Sequence, residues 1–214
     1  MSESLKKMYE LHHSTVRRAG FSIMKSERGP FFAQALGKGK KILDLGCRDG
    51  ALTSFFTEGN TVTGVDIDEI SLARASQSLG IETMSFDIQS DWSVLQGRKF
   101  DAVTAGEFLE HVFYPDKVVA KVAQILVPEG IFVGSIPNAF SLKNRLRYLI
   151  ATKKGTPLSD PTHINHFSAK EFEAVLKKSF KDVKIIGMGR LGILARLCPQ
   201  WFAFDLCFIA KKPL

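Results

Sequence analysis

From residue 40 onward the chain switches repeatedly between short apolar, β-branched runs and segments long enough for a helix. The runs are KKILDL, TVTGVD, ETMSFD, FDAVTAG, GIFVGSIP, VKIIGMG and FAFDLCFIA. The first five are almost continuously apolar, the pattern of parallel strands covered on both faces. Helices are expected at Asp49–Thr57, Asp68–Ser78, Pro115–Leu126 and Ser168–Ser179. Pro115 suits a first turn, and Ser168 followed by Glu171 makes a capping box. This alternation predicts an α/β fold built on an open, doubly wound sheet. Two stretches stand outside it. Residues 1–38 are helix-like and basic, with a break expected at Gly29-Pro30. Residues 138–167 form a long excursion after the fifth run, where SLKNRLRYLIATKK puts Leu142, Leu146, Leu149 and Ile150 on one helical face.

The bulk properties narrow the function classes. A length of 214 residues with 45% apolar and 24% charged residues fits one folded domain. No apolar run is long enough to cross a bilayer, and MSESLKKMYE lacks a signal-peptide core. The three cysteines are widely spaced with no CxxC pair, so they read as free thiols, and a cytoplasmic protein is expected. The net charge of +7 comes from short scattered clusters such as Lys6-Lys7, Arg17-Arg18 and Lys153-Lys154. With no longer basic run, zinc finger or RNA-binding aromatic motif, it reads as solvated surface, and no nucleic-acid partner is expected.

The stretch ILDLGCRDG carries the first chemical signal. An apolar strand ends at Asp44-Leu45-Gly46 and turns toward Gly50, exposing backbone N–H groups at the mouth of the sheet. A dinucleotide site requires GxGxxG, but Arg48 occupies the place of the second glycine. Asp44 would repel a pyrophosphate and suits a ligand bearing an ammonium group. The second run ends at Asp66, positioned for ribose hydroxyls. The third ends at Asp87, where a carboxylate can accept from an adenine amino group. Adenine, ribose and ammonium without pyrophosphate describe S-adenosylmethionine.

These stretches, with FDAVTAGEFLEHV, ILVPEGIFVGSIPN and THINHFSAKEFEAVL, resemble the class I S-adenosylmethionine-dependent methyltransferases, in particular the ubiquinone-pathway O-methyltransferases and MetW-like proteins. The resemblance implies a Rossmann-like, seven-stranded sheet with helices on both faces and the last strand antiparallel beside the fifth. It implies that Asp44, Gly46 and Gly50 line the methionine end of the cofactor, with Cys47 and Ile67 as further cofactor-binding residues. Asp66 would hold the ribose, Asp87 and Ile88 the adenine, and Glu107 and Phe108 would lie over the ligand. One methyltransferase domain is expected across 1–214: an N-terminal helical cap over 1–38, a cofactor-binding half over 39–137, a lid or acceptor insertion over 138–167, and a C-terminal helix with strands over 168–214. Arg48 is the departure from the family pattern and implies a shifted loop.

Removal of a proton from an acceptor hydroxyl calls for a histidine or carboxylate within hydrogen-bond reach. His163, in Thr162–Phe167, is the first choice for a general base and His111 the second; His166 or Asn165 is expected to cap local backbone. Glu107, Glu110 and His111 resemble a run associated with a divalent metal in the ubiquinone-pathway enzymes, yet a metal-free reading is preferred because Glu-His is widespread in the superfamily. Cys47 reads as a small apolar filler, Tyr114 as packing or substrate contact, and His12 and His13 as surface or lid residues. The basic, apolar segments 1–38 and 138–167 favour a small-molecule acceptor with an apolar body and an anionic group, methylated at oxygen. NRLRYLI suits core, a lid or a peripheral membrane contact, and the oligomeric state is left open. A catalytically silent, cofactor- or partner-binding member of the same fold is the alternative; the missing GxGxxG argues against an oxidoreductase.

Overall fold

The computed structural model describes residues 19–214. His12, His13 and the clusters Lys6-Lys7 and Arg17-Arg18 lie outside them. The chain divides into two compact units, one ending at Gly106 and the other spanning Glu107–Leu214. Seven strands form one sheet in the order β3-β2-β1-β4-β5-β7-β6.

The first unit contains α1 (Lys25–Leu36), β1 (Lys41–Leu45), β2 (Thr61–Asp66), α2 (Glu69–Leu79), β3 (Glu82–Ser85) and β4 (Phe100–Gly106). Its strands pair in parallel, with Asp44 opposite Gly64 on β2 and Thr104 on β4. Ile42, Leu43, Leu45, Val65 and Val103 are fully buried, as the continuous apolar runs require. Asp68 caps α2 by accepting from the Ser71 N–H, and Gly80 ends that helix in the left-handed region.

Two expectations fail in this unit. No break occurs at Gly29-Pro30, because α1 runs through both residues. Pro30 lies inside the helix, and Gly29 is there for a close approach: a Cβ on it would stand 2.5 Å from the Phe55 ring. The helix expected over Asp49–Thr57 is absent, replaced by turns and a single 3-10 turn at Thr53–Phe55. Arg48 (φ 50°) and Gly50 (φ 78°) both adopt left-handed backbone, which a right-handed helix cannot accept.

The second unit contains α3 (Pro115–Ile125), β5 (Leu126–Pro137), α4 (Leu142–Leu149), α5 (Ala169–Lys177), β6 (Phe180–Met188), α6 (Ile193–Leu197), α7 (Pro199–Phe202) and β7 (Asp205–Pro213). β7 is antiparallel to both β5 and β6. The capping box of α5 forms as expected, with Ser168 and Glu171 exchanging hydrogen bonds. Phe172 on that helix joins a ring cluster with Phe208 and Phe132, at centroid separations of 5.2 and 4.9 Å. The last strand begins at Asp205, three residues later than the run FAFDLCFIA suggests, because Phe202 closes α7 and Phe204 turns outward.

α4 is helical as its period predicts, with Ser141 accepting from the Asn144 N–H. Its orientation is the reverse of a core helix. Asn144 is buried and donates to the Asn138 carbonyl at 2.9 Å, while Leu142, Leu146, Leu149 and Ile150 are exposed. The stripe is therefore not core.

Candidate functional site

In the first unit, three strand ends deliver acids. Asp44 is buried; its carboxylate accepts from the Thr53 hydroxyl at 2.6 Å and the Thr104 hydroxyl at 2.7 Å. Burial raises its pKa to about 6; the two hydroxyls oppose that shift, neighbouring Asp66 adds to it, and the Arg28 guanidinium opposes it. Arg28, fully buried on α1, donates to the Ile23 carbonyl at 2.9 Å and approaches the backbone of Gly106, where a Cβ would meet its Nη2 at 2.7 Å. The strand end thus carries buried charge of both signs.

The turn after β1 is pinned to β2. The Gly46 and Cys47 N–H groups donate to the Val65 carbonyl at 2.8 and 3.1 Å, and the Arg48 N–H donates to Asp66 Oδ2 at 2.9 Å. Asp66 Oδ1 accepts from the N–H groups of Ile67 (2.7 Å) and Asp68 (3.0 Å), which fixes the carboxylate at the tip of β2. Cys47 points its sulfur at Gly64, where a Cβ would come within 2.6 Å, and burial pushes its thiol pKa well up. Gly50 is needed for the packing of α2, because a Cβ there would meet Leu79 at 2.5 Å. Beyond β3, Asp87 accepts from the Gln89 N–H at 2.9 Å, and buried Ile88 accepts the Trp92 indole N–H at 2.7 Å.

Sequence reasoning missed Arg28, Thr53 and Thr104. Arg28 sits in an ordinary polar-looking helix, and two threonines 51 positions apart carry no local signature; only the register of β1 with β4 brings Thr104 to Asp44.

In the second unit, Glu107 follows β4 in left-handed backbone (φ 57°), with its N–H donating to the Ser135 carbonyl at 3.0 Å. Such a conformation in a non-glycine residue is held only by its surroundings. Phe108 precedes a 3-10 turn over Leu109–His111. Glu110 is 1% exposed, and its carbonyl accepts from the N–H groups of Ile164 and Asn165, both at 2.9 Å. These bonds tie the 162–167 loop to the turn. The Asn165 amide donates to the Val112 carbonyl.

The loop brings the two histidines together, with ring centroids 4.9 Å apart. His111 Nδ1 lies 2.9 Å from the Thr162 carbonyl and His163 Nδ1 lies 3.2 Å from that of Pro157. A carbonyl only accepts, so on a neutral ring Nδ1 carries the proton and Nε2 does not. Each Nε2 then has a carboxylate 3.7 Å away: Glu110 for His111 and Asp160 for His163. Asp160 also accepts from the Thr162 N–H and hydroxyl, which orders the loop. His166 lies further out, 6.4 Å from His163 by ring centroid, and its pKa is lowered by burial and by His163.

Glu110, His111 and His163 place one donor atom each within 4.8 Å of one another. Two imidazoles and a carboxylate suit a divalent metal as well as proton transfer. Glu107 is not in this set; His163 stands where the sequence suggested Glu107.

The profile of the methyltransferase domain family matches residues 17–179. The chain belongs to that family. Its class is that of the S-adenosylmethionine-dependent methyltransferases, and the sheet has the strand arrangement the sequence resemblance implied, with β7 antiparallel beside β5. A ubiquinone biosynthesis O-methyltransferase from Thiobacillus denitrificans is 36% identical over 118 residues, 53% of this chain and 49% of that protein. The methyltransferase chain thus spans about half the length of the curated relatives it matches. An S-adenosylmethionine-dependent methyltransferase from Archaeoglobus fulgidus superposes with a TM-score of 0.70 at 20% identity, over 95% of this chain and 99% of that one. The N-methyltransferase NodS from Bradyrhizobium japonicum, solved with S-adenosyl-L-homocysteine, gives a TM-score of 0.60 at 15% identity, over 89% and 87%.

Proposed function

We propose that the protein transfers a methyl group from S-adenosylmethionine to an oxygen of a small molecule. The observation that carries this reading is the pair of buried opposite charges at the end of β1. An amino-acid zwitterion needs an anion for its ammonium and a cation for its carboxylate; Asp44 and Arg28 supply both. Asp66, at the tip of the adjacent strand, is fixed by backbone N–H groups to receive ribose hydroxyls. When bound, S-adenosylmethionine supplies a methyl group already activated on its sulfonium.

The protein's task is then to position reactants and move one proton. His163 Nε2 takes the proton of the acceptor hydroxyl, and Asp160 stabilises the imidazolium that results, while the Pro157 carbonyl holds the ring in the required tautomer. His111, backed by Glu110, stands as its neighbour.

Calorimetric titration with S-adenosylhomocysteine, with NAD as the control, tests the donor site. Micromolar binding of the first alone, about −8 kcal/mol, is expected, and Asp66→Ala should abolish it. His163→Ala should leave that affinity intact and lower turnover by about 10²-fold or more; equal loss of binding and turnover would refute its role. Binding without turnover on any acceptor would favour a silent member. A second reading, in which Glu110, His111 and His163 hold a divalent ion that polarises the acceptor oxygen, rests on their 4.8 Å grouping. It requires activity to fall with a chelator and to return with added metal.

A further inference from the structure

We infer that the face formed by α4, α6 and α7 docks on the surface of a bilayer rich in anionic lipid. α4 is an amphipathic helix turned outward: Leu149 is 81% and Ile150 75% exposed, and Leu142 and Leu146 are exposed beside them. α6 repeats the arrangement, with Ile193 72% and Leu197 71% exposed. The two are joined through α7, where Arg145 of α4 stacks over the ring of Trp201 at 4.7 Å. Half-exposed Trp201 has the apolar body and polar edge suited to a water–lipid boundary. A soluble surface rarely carries so many large aliphatic chains close together.

The charge around them selects the occupant. Residues 138–159 and 189–204 contain seven cations (Lys143, Arg145, Arg147, Lys153, Lys154, Arg190 and Arg196) and no acid. Large exposed apolar side chains in segments whose only charged residues are cations are the composition of an interfacial element: the chains enter the headgroup boundary and the cations meet lipid phosphates. A second copy of this chain is the poorer occupant, since a two-fold contact would set the cations of these segments against one another. Nucleic acid would use the cations and leave the exposed leucines and isoleucines in water.

The inference is independent of methyl transfer, and its test reads the two apart. The full chain is floated with phosphatidylcholine vesicles alone and with vesicles containing phosphatidylglycerol, at low and high salt. Binding only to the anionic vesicles, weakened by salt, is expected. Leu149→Ser with Ile150→Ser should lower the vesicle partition coefficient by about tenfold or more, and Lys153→Gln with Lys154→Gln by about fivefold per cation removed. Both variants should keep the wild-type affinity for S-adenosylhomocysteine and the wild-type melting temperature. Absence of binding to anionic vesicles overturns the inference, as does unchanged binding of the Leu149/Ile150 variant. A concentration-dependent dimer, or oligonucleotide binding, that the same variant abolishes would reassign the surface.

Discussion

Two regions of the molecule break the ordinary rule of burial in opposite directions. In the first, the end of β1 takes the ionisable carboxyl of Asp44 out of water; in the second, α4 and the residue that caps it leave four large apolar side chains in it and bury an asparagine. Most of the chain obeys the rule. α5 resembles α4 in length and in its serine cap, yet its Phe172 and Leu176 are fully buried. Departures of this kind survive where a molecule must meet something else. On the readings proposed above, the buried acid beside a buried arginine suits a small zwitterion, whereas the outward apolar stripe suits an extended surface.

Removing a side chain that obeys the rule gives the largest effect. Phe172→Ala deletes a ring packed on Phe208 and Phe167 and should destabilise the protein by about 3–5 kcal/mol. At this chain length that is a fall of roughly 10 °C in melting temperature. A fall of only a degree or two would mean that α5 is not the packed counterpart of α4.

Asp44→Asn sharpens the comparison from the other side. The folded-state pKa of Asp44, about 6, lies above the ordinary value of 3.8. Between those values the folded chain binds the proton more tightly than the unfolded one, so Asp44 favours folding at low pH and loses that contribution as pH rises through about 6. The loss, complete above pH 6, amounts to about 3 kcal/mol. The amide cannot ionise, so the variant should gain stability at pH 7, by up to about 3 kcal/mol, and lose this part of the slope of stability against pH between 4 and 6. It should also bind S-adenosylhomocysteine more weakly. Denaturant titrations at pH 4.5 and 7.5 check the sign; a destabilised variant at pH 7.5 would show that the charge serves the fold itself.

These two cases also mark what the sequence makes legible. The strand runs, the capping box at Ser168 and the acids at Asp44, Asp66 and Asp87 are local or periodic, so they can be read directly. Arg28, Thr53 and Thr104 cannot, because their meaning arises from packing and register. The loop at Arg48–Gly50 defeats a helix expectation through backbone conformation that ordinary residue preferences do not disclose. The pairing of His163 with His111 rests on two backbone bonds from the 164–165 segment to Glu110, across more than fifty residues of sequence. The apolar period of α4 was plain, but a period identifies a face and not what covers it.

Smaller effects separate the helix caps. Ser168→Ala breaks a reciprocal box and should cost about 1 kcal/mol. Ser141→Ala removes a single 3.4 Å bond from an N-terminus without an acidic partner and should cost less. Thermal unfolding of the two variants side by side measures the difference. Equal losses would mean that the α4 cap is held by more than its serine.

The smallest effect is expected where the rule is most visibly broken. Leu149→Ser with Ile150→Ser replaces two largely exposed apolar side chains by polar ones, so it removes little buried area and should change stability by no more than about 0.5 kcal/mol. In an ordinary amphipathic helix the same double change would cost several kcal/mol. Near-equality with the wild type in dilute solution, together with lost affinity for anionic vesicles, would show that these side chains contribute to contact with a surface and not to the fold. A marked loss of stability would mean that something already covers them in the free protein, and the contrast between α4 and α5 would disappear.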